Sequence, residues 1–148
     1  MNMTTPPQMR DLTQRLLTYE ASAGNTSESV ESTILRVYEK LRGNLCLLAG
    51  VAGFYSLASR ALTLARSEAP SLSAVQVAAD GNLQGMSAIE PLTNVKTEGV
   101  YEAGVTLISR LLGLLLIFLG EALTMNLVRD AWPDAALDDT NPQNRRKT

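Results

Sequence analysis

The sequence contains no histidine. That excludes Ser-His-Asp triads, Cys-His dyads, imidazole metal sites and a His-ligated haem together. It contains one cysteine, Cys46, which excludes an intrachain disulfide and any Cys-x-x-Cys site. One Trp, four Tyr and two Phe leave little with which to stack nucleobases. Basic residues show no excess: 13 Lys and Arg against 15 Asp and Glu give a net charge of −2. Nucleic-acid-binding chains carry the opposite balance. No nucleic acid, cofactor or metal is therefore expected as a ligand. The N-terminus lacks a basic segment followed by an apolar one, so it does not read as a secretory signal. A lone cysteine suits a reducing compartment. The expected location is the cytoplasm. The alternative is the inner face of a membrane, or insertion into it.

What is present is apolar and helical. The 148 residues are 45% apolar, enough for one domain with its own core. Thr5-Pro6-Pro7-Gln8 reads as a helix start, with Thr5 as the cap and Pro6 at the first helical position. Met9, Leu12, Leu16 and Tyr19 then form one stripe of a helix predicted over about 6–22, ending at Gly24-Asn25. A second helix, over about 27–42, carries Val30, Ile34, Val37 and Leu41 on one side and Glu28, Ser32, Arg36 and Glu39 on the other. Gly43-Asn44 breaks or bends the chain before a third helix over about 44–67. Its expected core stripe is Leu47, Val51, Phe54, Ala58, Leu62 and Ala65. The opposite arc, with Ala49, Gly53, Ser56, Arg60 and Thr63, is small or polar, and its only charges are positive. No acidic residue occurs from Lys40 to Ser67.

Past Ala69-Pro70 the period changes. Val75-Gln76-Val77 alternates and Asp80-Gly81 is a turn dipeptide. A short β-hairpin over about 74–86 is expected, with a positive φ at Gly81. A short helix over 71–79 is the competing reading. A connector containing Pro91 leads to a long apolar helix that begins between Thr93 and Val100 and ends at Trp132-Pro133. The expected fold class is all-α: a four-helix bundle-like domain with a long, central C-terminal helix and a small hairpin between helices three and four. That domain covers 1–136. Residues 137–148, with Arg145-Arg146-Lys147, form a polar tail.

The last helix poses the main question. Its uncharged run, Leu111 to Gly120, spans about 15 Å, half of a ~30 Å hydrocarbon core. Arg110 and Glu121 bracket the run and point nearly the same way. Thr106, Gly113, Ile117, Gly120 and Thr124 share their arc. Thr106, Gly113 and Gly120 repeat every seven residues, and such small side chains are expected to admit another helix at close range. Ser56, Arg60 and Thr63 of the third helix complete the expected seam, with Arg60 placed to pair with Glu121. The remaining circumference is Leu, Ile and Phe, which suits either a central bundle helix or a membrane span.

Catalytic chemistry has little to stand on. Cys46 has no imidazole to serve as its base and reads as a buried structural thiol. Glu28, Glu31 and Glu39 lack the accompanying ligands of a metal site and read as a solvated face. Asp80-Gly81-Asn82 lacks the spaced acids of a calcium loop, and Gly50-Val51-Ala52-Gly53 lacks the Gly-Lys-Ser/Thr of a phosphate loop. The expectation is a non-catalytic helical interaction protein: an accessory subunit, adaptor or self-associating module. Its partner would be another protein or a second copy of the chain. The alternative is a small membrane-associated protein that inserts the helix over about 104–128, either as a membrane-perturbing effector or as the anchor of a larger complex.

Overall fold

The computed structural model describes residues 6–23, 30–85 and 96–133. The Thr5 cap, the Gly24-Asn25 stop, Glu28, the Pro91 connector and the tail with Arg145, Arg146 and Lys147 lie outside these residues, as does the boundary at 136–137. The described chain is all-α with a small hairpin: α1 (Pro6–Ala23), α2 (Val30–Glu68), a 3-10 turn (Pro70–Ala74), strands β1 (Gln76–Val77) and β2 (Leu83–Gln84), α3 (Lys96–Leu119) and α4 (Glu121–Ala131).

The expected stripes of the first two helices point inward. Met9, Leu12 and Leu16 are buried on α1, and Ile34, Val37 and Leu41 on α2. The expected break does not fall where the sequence reading put it. Gly43 lies in continuous helix, and α2 folds at Gly50, whose φ of 81° and ψ of 165° interrupt the helical backbone. The fold-back is sharp. A straight helix would separate Tyr38 and Phe54 by about 24 Å, yet their rings meet edge-on with centroids 5.6 Å apart. The reason is burial. A helix continued straight would carry Phe54, Ala58, Ala61, Leu62 and Ala65 away from the core, whereas bent at Gly50 it buries all five. Each large apolar side chain contributes about 1.5–3 kcal/mol, more than the few helix hydrogen bonds lost. The expected stripe of the third helix is corrected by the same bend, because Leu47 and Val51 flank it and are exposed.

The predicted last helix is likewise two helices. Gly120, with φ 88° and ψ 164°, ends α3 and precedes α4. No continuous helix over 104–128 exists to be inserted. The break turns Thr124, Met125, Leu127 and Val128 of α4 inward, and Trp132 beyond them is 1% exposed.

The hairpin forms as expected, antiparallel with Gln76 opposite Gln84 and Val77 opposite Leu83. Gly81 has φ 89° and donates its N–H to the Ala78 carbonyl, and Asp80 Oδ1 accepts from the Asn82 N–H. Its tip sits inside the bend of α2. The Tyr38 hydroxyl donates to the Gly81 carbonyl at 2.6 Å, Arg42 donates to the Asp80 carbonyl at 3.1 Å, and the Phe54 ring lies beneath Gly81. Two strands of two residues each would not persist alone in water; these anchors hold them.

The contacts of α3 and α4 favour a course that places the two bends at one end of the molecule. Gly104 of α3 packs on Ile34 of α2. Gly50 and Gly120 are each sixteen residues further along, about 24 Å. Trp132 returns to Lys40, whose ammonium lies 5.8 Å from the indole centroid. If α3 ran antiparallel to the first arm of α2, Gly120 would be more than about 30 Å from Lys40, a distance that an 11-residue α4 about 16 Å long would cover only with the Lys40 and Trp132 side chains fully extended toward each other. A parallel course closes the distance and brings both glycine corners together at one end.

Candidate functional site

Among the described residues, the expected seam divides into three parts. Thr106, Arg110, Gly113 and Ile117 share one face of α3, as their spacing requires. They line a groove of about 440 Å³ between α1, the second arm of α2 and α3. Met9 and Arg10 contribute from α1, and Leu64 and Glu68 from α2. Gly120 and Glu121 stand at the corner, and Thr124 is buried beyond it. Ser56, Arg60 and Thr63 are exposed on the outer side of α2 and do not join the α3 face. Thr63 Oγ1 instead donates to the Ser59 carbonyl of its own helix.

The expected close approach is absent at Gly113 and Gly120: a side chain begun at either would meet nothing within 4 Å. The close approach occurs at Gly104, where an added Cβ would lie 2.7 Å from Ile34 Cγ1. Glycine at 113 opens a groove, and glycine at 104 closes a seam. The expected Arg60–Glu121 pair is not formed either. Arg110 pairs with Glu68 at the end of α2, both lining the groove, and Arg10, also in its lining, pairs with Glu102 of α3. These four charges are partly exposed. Ser109 Oγ donates to Thr13 Oγ1 at 3.1 Å and fixes α1 against α3.

One charged cluster gives no signal in the sequence. Glu20 is 2% exposed. Its carboxylate accepts from Arg36 Nε at 2.9 Å, from Trp132 Nε1 at 2.7 Å and from Lys40. Burial pushes the Glu20 carboxyl up, but the hydrogen bonds from Lys40, Trp132 and Arg36 and the Lys40 charge together outweigh it and hold the group below its ordinary value. The cluster ties α1, α2 and the end of α4 in one knot. A single acidic residue on a helix carries no periodic or motif signal, and its partners lie 16 to 112 positions away. Cys46 is half-buried rather than buried, packed against the edge of the core. Among the described residues, no three His, Cys, Asp or Glu side chains gather as metal ligands would.

The apolar surface concentrates at the two corners. Seven large apolar side chains are exposed among the described residues: Leu47, Leu48, Val51, Tyr55, Ile117, Phe118 and Leu123. All lie within five residues of Gly50 or Gly120. Leu47 is 89% exposed and Ile117 74%. Scattered exposed leucines are ordinary on a soluble surface; a set confined to one end is not. By length and composition alone α2 and the Gly99–Leu119 segment of α3 pass as membrane spans, but α2 turns back at Gly50, and 61% of the apolar 18-residue window of α3 is buried within the bundle, against 28% of that of α2.

No protein-family model matches this chain, and no curated protein or solved structure is significantly similar to it.

Proposed function

We propose that the protein is a non-catalytic helical interaction module, an accessory subunit or adaptor, that receives an apolar element of a protein partner in the groove beside Gly113. The observation that supports this reading is the groove itself. Three packed helices leave about 440 Å³ open along a face of glycine, threonine, leucine and isoleucine, and the charged side chains in its lining, Arg10, Glu68 and Arg110, are held in ion pairs. Apolar walls with a few oriented polar groups are the usual composition of a binding site. The groove offers no nucleophile with an adjacent base, so it suits recognition rather than turnover.

The test is site-specific photocrosslinking of the full chain in the cells that produce it, with the photoreactive residue at Leu64 in the groove wall. The expected result is one discrete protein adduct, or a crosslinked dimer if the partner is a second copy, lost when Gly113→Leu fills the groove. No adduct, or an adduct that Gly113→Leu leaves unchanged, would overturn the reading.

A further inference from the structure

From the two glycine corners we infer a second contact surface, which meets the groove at Ile117 and Arg110 and otherwise lies outside it. This end of the bundle docks on the phosphate-bearing surface of a lipid bilayer, seating its apolar side chains in one leaflet. Three observations carry the inference. The exposed large apolar residues are confined to the corners, Leu47, Leu48, Val51 and Tyr55 around Gly50 and Ile117, Phe118 and Leu123 around Gly120. The corners face the same end on the parallel course that the contacts Ile34–Gly104 and Lys40–Trp132 favour. The third observation is the depth to which charge is absent. Moving away from Gly50, the first charged residue is Arg42 on one arm of α2 and Arg60 on the other; moving back from Gly120 along α3 it is Arg110. These arginines lie eight, ten and ten residues from their corners, about 12–15 Å along each arm.

That depth selects the partner. A protein-binding patch has an apolar centre with polar and charged groups around its rim, on exposed positions close by. Here three helical arms carry no charge on any side for about 12 Å, including exposed Ala49, Ala52 and Ser56. Each arm then meets an arginine first. One leaflet of hydrocarbon is about 15 Å deep, and arginines at its border extend toward phosphates. Arg42 and Arg110 already hold Glu39 and Glu68. Arg60 is exposed without a carboxylate partner among the described residues and is the border cation placed to meet a lipid phosphate; the exposed Asp80 at the hairpin tip beside Arg42, and Glu121, offset the charge of the border as a whole. The fourth arm departs from the pattern. Glu121 follows Gly120 directly and is exposed. An ionised carboxylate stays at headgroup level, so the α4 side rides higher, and the contact is interfacial rather than spanning.

The test uses the full chain and large unilamellar vesicles, either phosphatidylcholine alone or with 30% phosphatidylglycerol as the probe composition, roughly a physiological anionic content. The protein should float with both, the apolar contact rather than net charge carrying most of the binding. Leu47→Gln with Phe118→Gln should reduce binding at least about tenfold, since two large apolar contacts are lost. Both positions are exposed, so the melting temperature should stay unchanged. Arg60→Gln should reduce binding to the anionic vesicles about fivefold and to the neutral ones little. Glu121→Gln should strengthen binding to both. An environment-sensitive fluorophore on Leu47→Cys or Phe118→Cys, in the Cys46→Ser background, should brighten on vesicle addition, and one on Asp130→Cys should not. A protein that remains unbound, or binds with no dependence on Leu47 and Phe118, would overturn the inference. So would a dimer in solution that Leu47→Gln with Phe118→Gln dissolves, since the corners would then be a protein interface. Leu47, Arg60, Phe118 and Glu121 do not line the groove, so these substitutions should leave the Leu64 crosslink unchanged and the two readings fail separately.

Discussion

Gly104 and Gly113 occupy the same helix nine residues apart, and they mark opposite sides of the molecule. At Gly104 the missing side chain lets α3 settle against Ile34, with no room even for a Cβ. At Gly113 the missing side chain leaves space that nothing else in the described chain fills. The closed side continues to the Glu20 knot, where a buried carboxylate is met by three donors. The open side continues through the groove to the exposed corners. A small residue in an apolar helix is therefore ambiguous. It marks a close contact where the facing side chain is large, and a groove where the facing helices diverge.

The strongest test of the closed side is Gly104→Leu. Overpacking costs about 1–3 kcal/mol and occasionally more, and the gain in helix propensity returns a little under 1 kcal/mol. With both Cγ atoms of Ile34 inside 3.0 Å of the added Cβ, the loss should stand at the upper end, net about 2–3 kcal/mol in urea unfolding. Trimming Ile34→Ala in the same chain should recover part of it, through a coupling of about 1 kcal/mol or more. Strictly additive losses would mean that the two residues do not share one seam.

The Glu20 knot comes next. Glu20→Gln keeps the shape but removes the charge that Arg36, Lys40 and Trp132 converge on. Arg36 and Lys40 are about a third exposed and can turn to water, whereas the buried Trp132 N–H must rely on the new amide oxygen. The expected loss is therefore about 2 kcal/mol, below the 3–5 kcal/mol of a fully buried broken pair. The pH dependence has a definite sign. The folded-state carboxyl lies below the unfolded value near 4.5, so its stabilisation is complete above that value and is lost as pH falls through the lower folded one. The wild-type chain should lose stability on acidification below about pH 4.5, and Glu20→Gln should flatten that part of the curve. An unchanged acid limb would remove Glu20 as its source.

Much of this architecture is legible in the sequence, and the limits have physical causes. The stripes Met9-Leu12-Leu16 and Ile34-Val37-Leu41 identify their helices because the 3.6-residue period is local. Asp80-Gly81 identifies the hairpin because a tight turn is set by two residues. The corners are not local. Gly43 and Gly50 carry the same intrinsic penalty, about 1 kcal/mol each. What selects Gly50 is the core that Phe54, Ala58 and Leu62 reach only if the helix turns there. The wheel on α3 correctly groups Thr106, Arg110, Gly113 and Ile117, but not what they face, because that depends on α1 and α2. The partner of Arg110 shows the same limit: period gives its side of the helix, and tertiary packing brings Glu68 to it.

Thr124 offers a smaller effect at the boundary between the two sides. Its Oγ1 is buried and has no hydrogen-bond partner among the described residues. Its backbone N–H is satisfied by the Gly120 carbonyl at 3.1 Å. An unpaired buried hydroxyl costs about 1–3 kcal/mol, and valine has nearly the same shape. Thr124→Val should raise stability by about 1 kcal/mol, read as a higher melting temperature. A lower one would show that the hydroxyl has a partner in the folded chain.

The smallest expected change is the one that bears most directly on the groove. Gly113→Leu puts a large apolar side chain where a Cβ meets nothing within 4 Å. Two favourable contributions act in the same direction. Leucine has the higher helix propensity, by somewhat under 1 kcal/mol. Its side chain also lies along Met9, Leu64 and Leu114, which share the groove with Gly113, and so removes apolar surface from water. No overpacking opposes them, in contrast to Gly104. Ordering the leucine side chain costs about 0.5–1 kcal/mol, so the net gain should be below about 1 kcal/mol, a rise of at most about 2–4 °C for a chain of this size. The same substitution at two positions of one helix should thus have opposite signs, with Gly104→Leu melting lower than wild type and Gly113→Leu melting higher. If Gly113→Leu melts lower as well, the groove is filled in the folded chain, and the distinction between an open and a closed side of α3 fails. If it melts higher yet leaves the crosslink at Leu64 intact, the open side is real but is not where the partner binds.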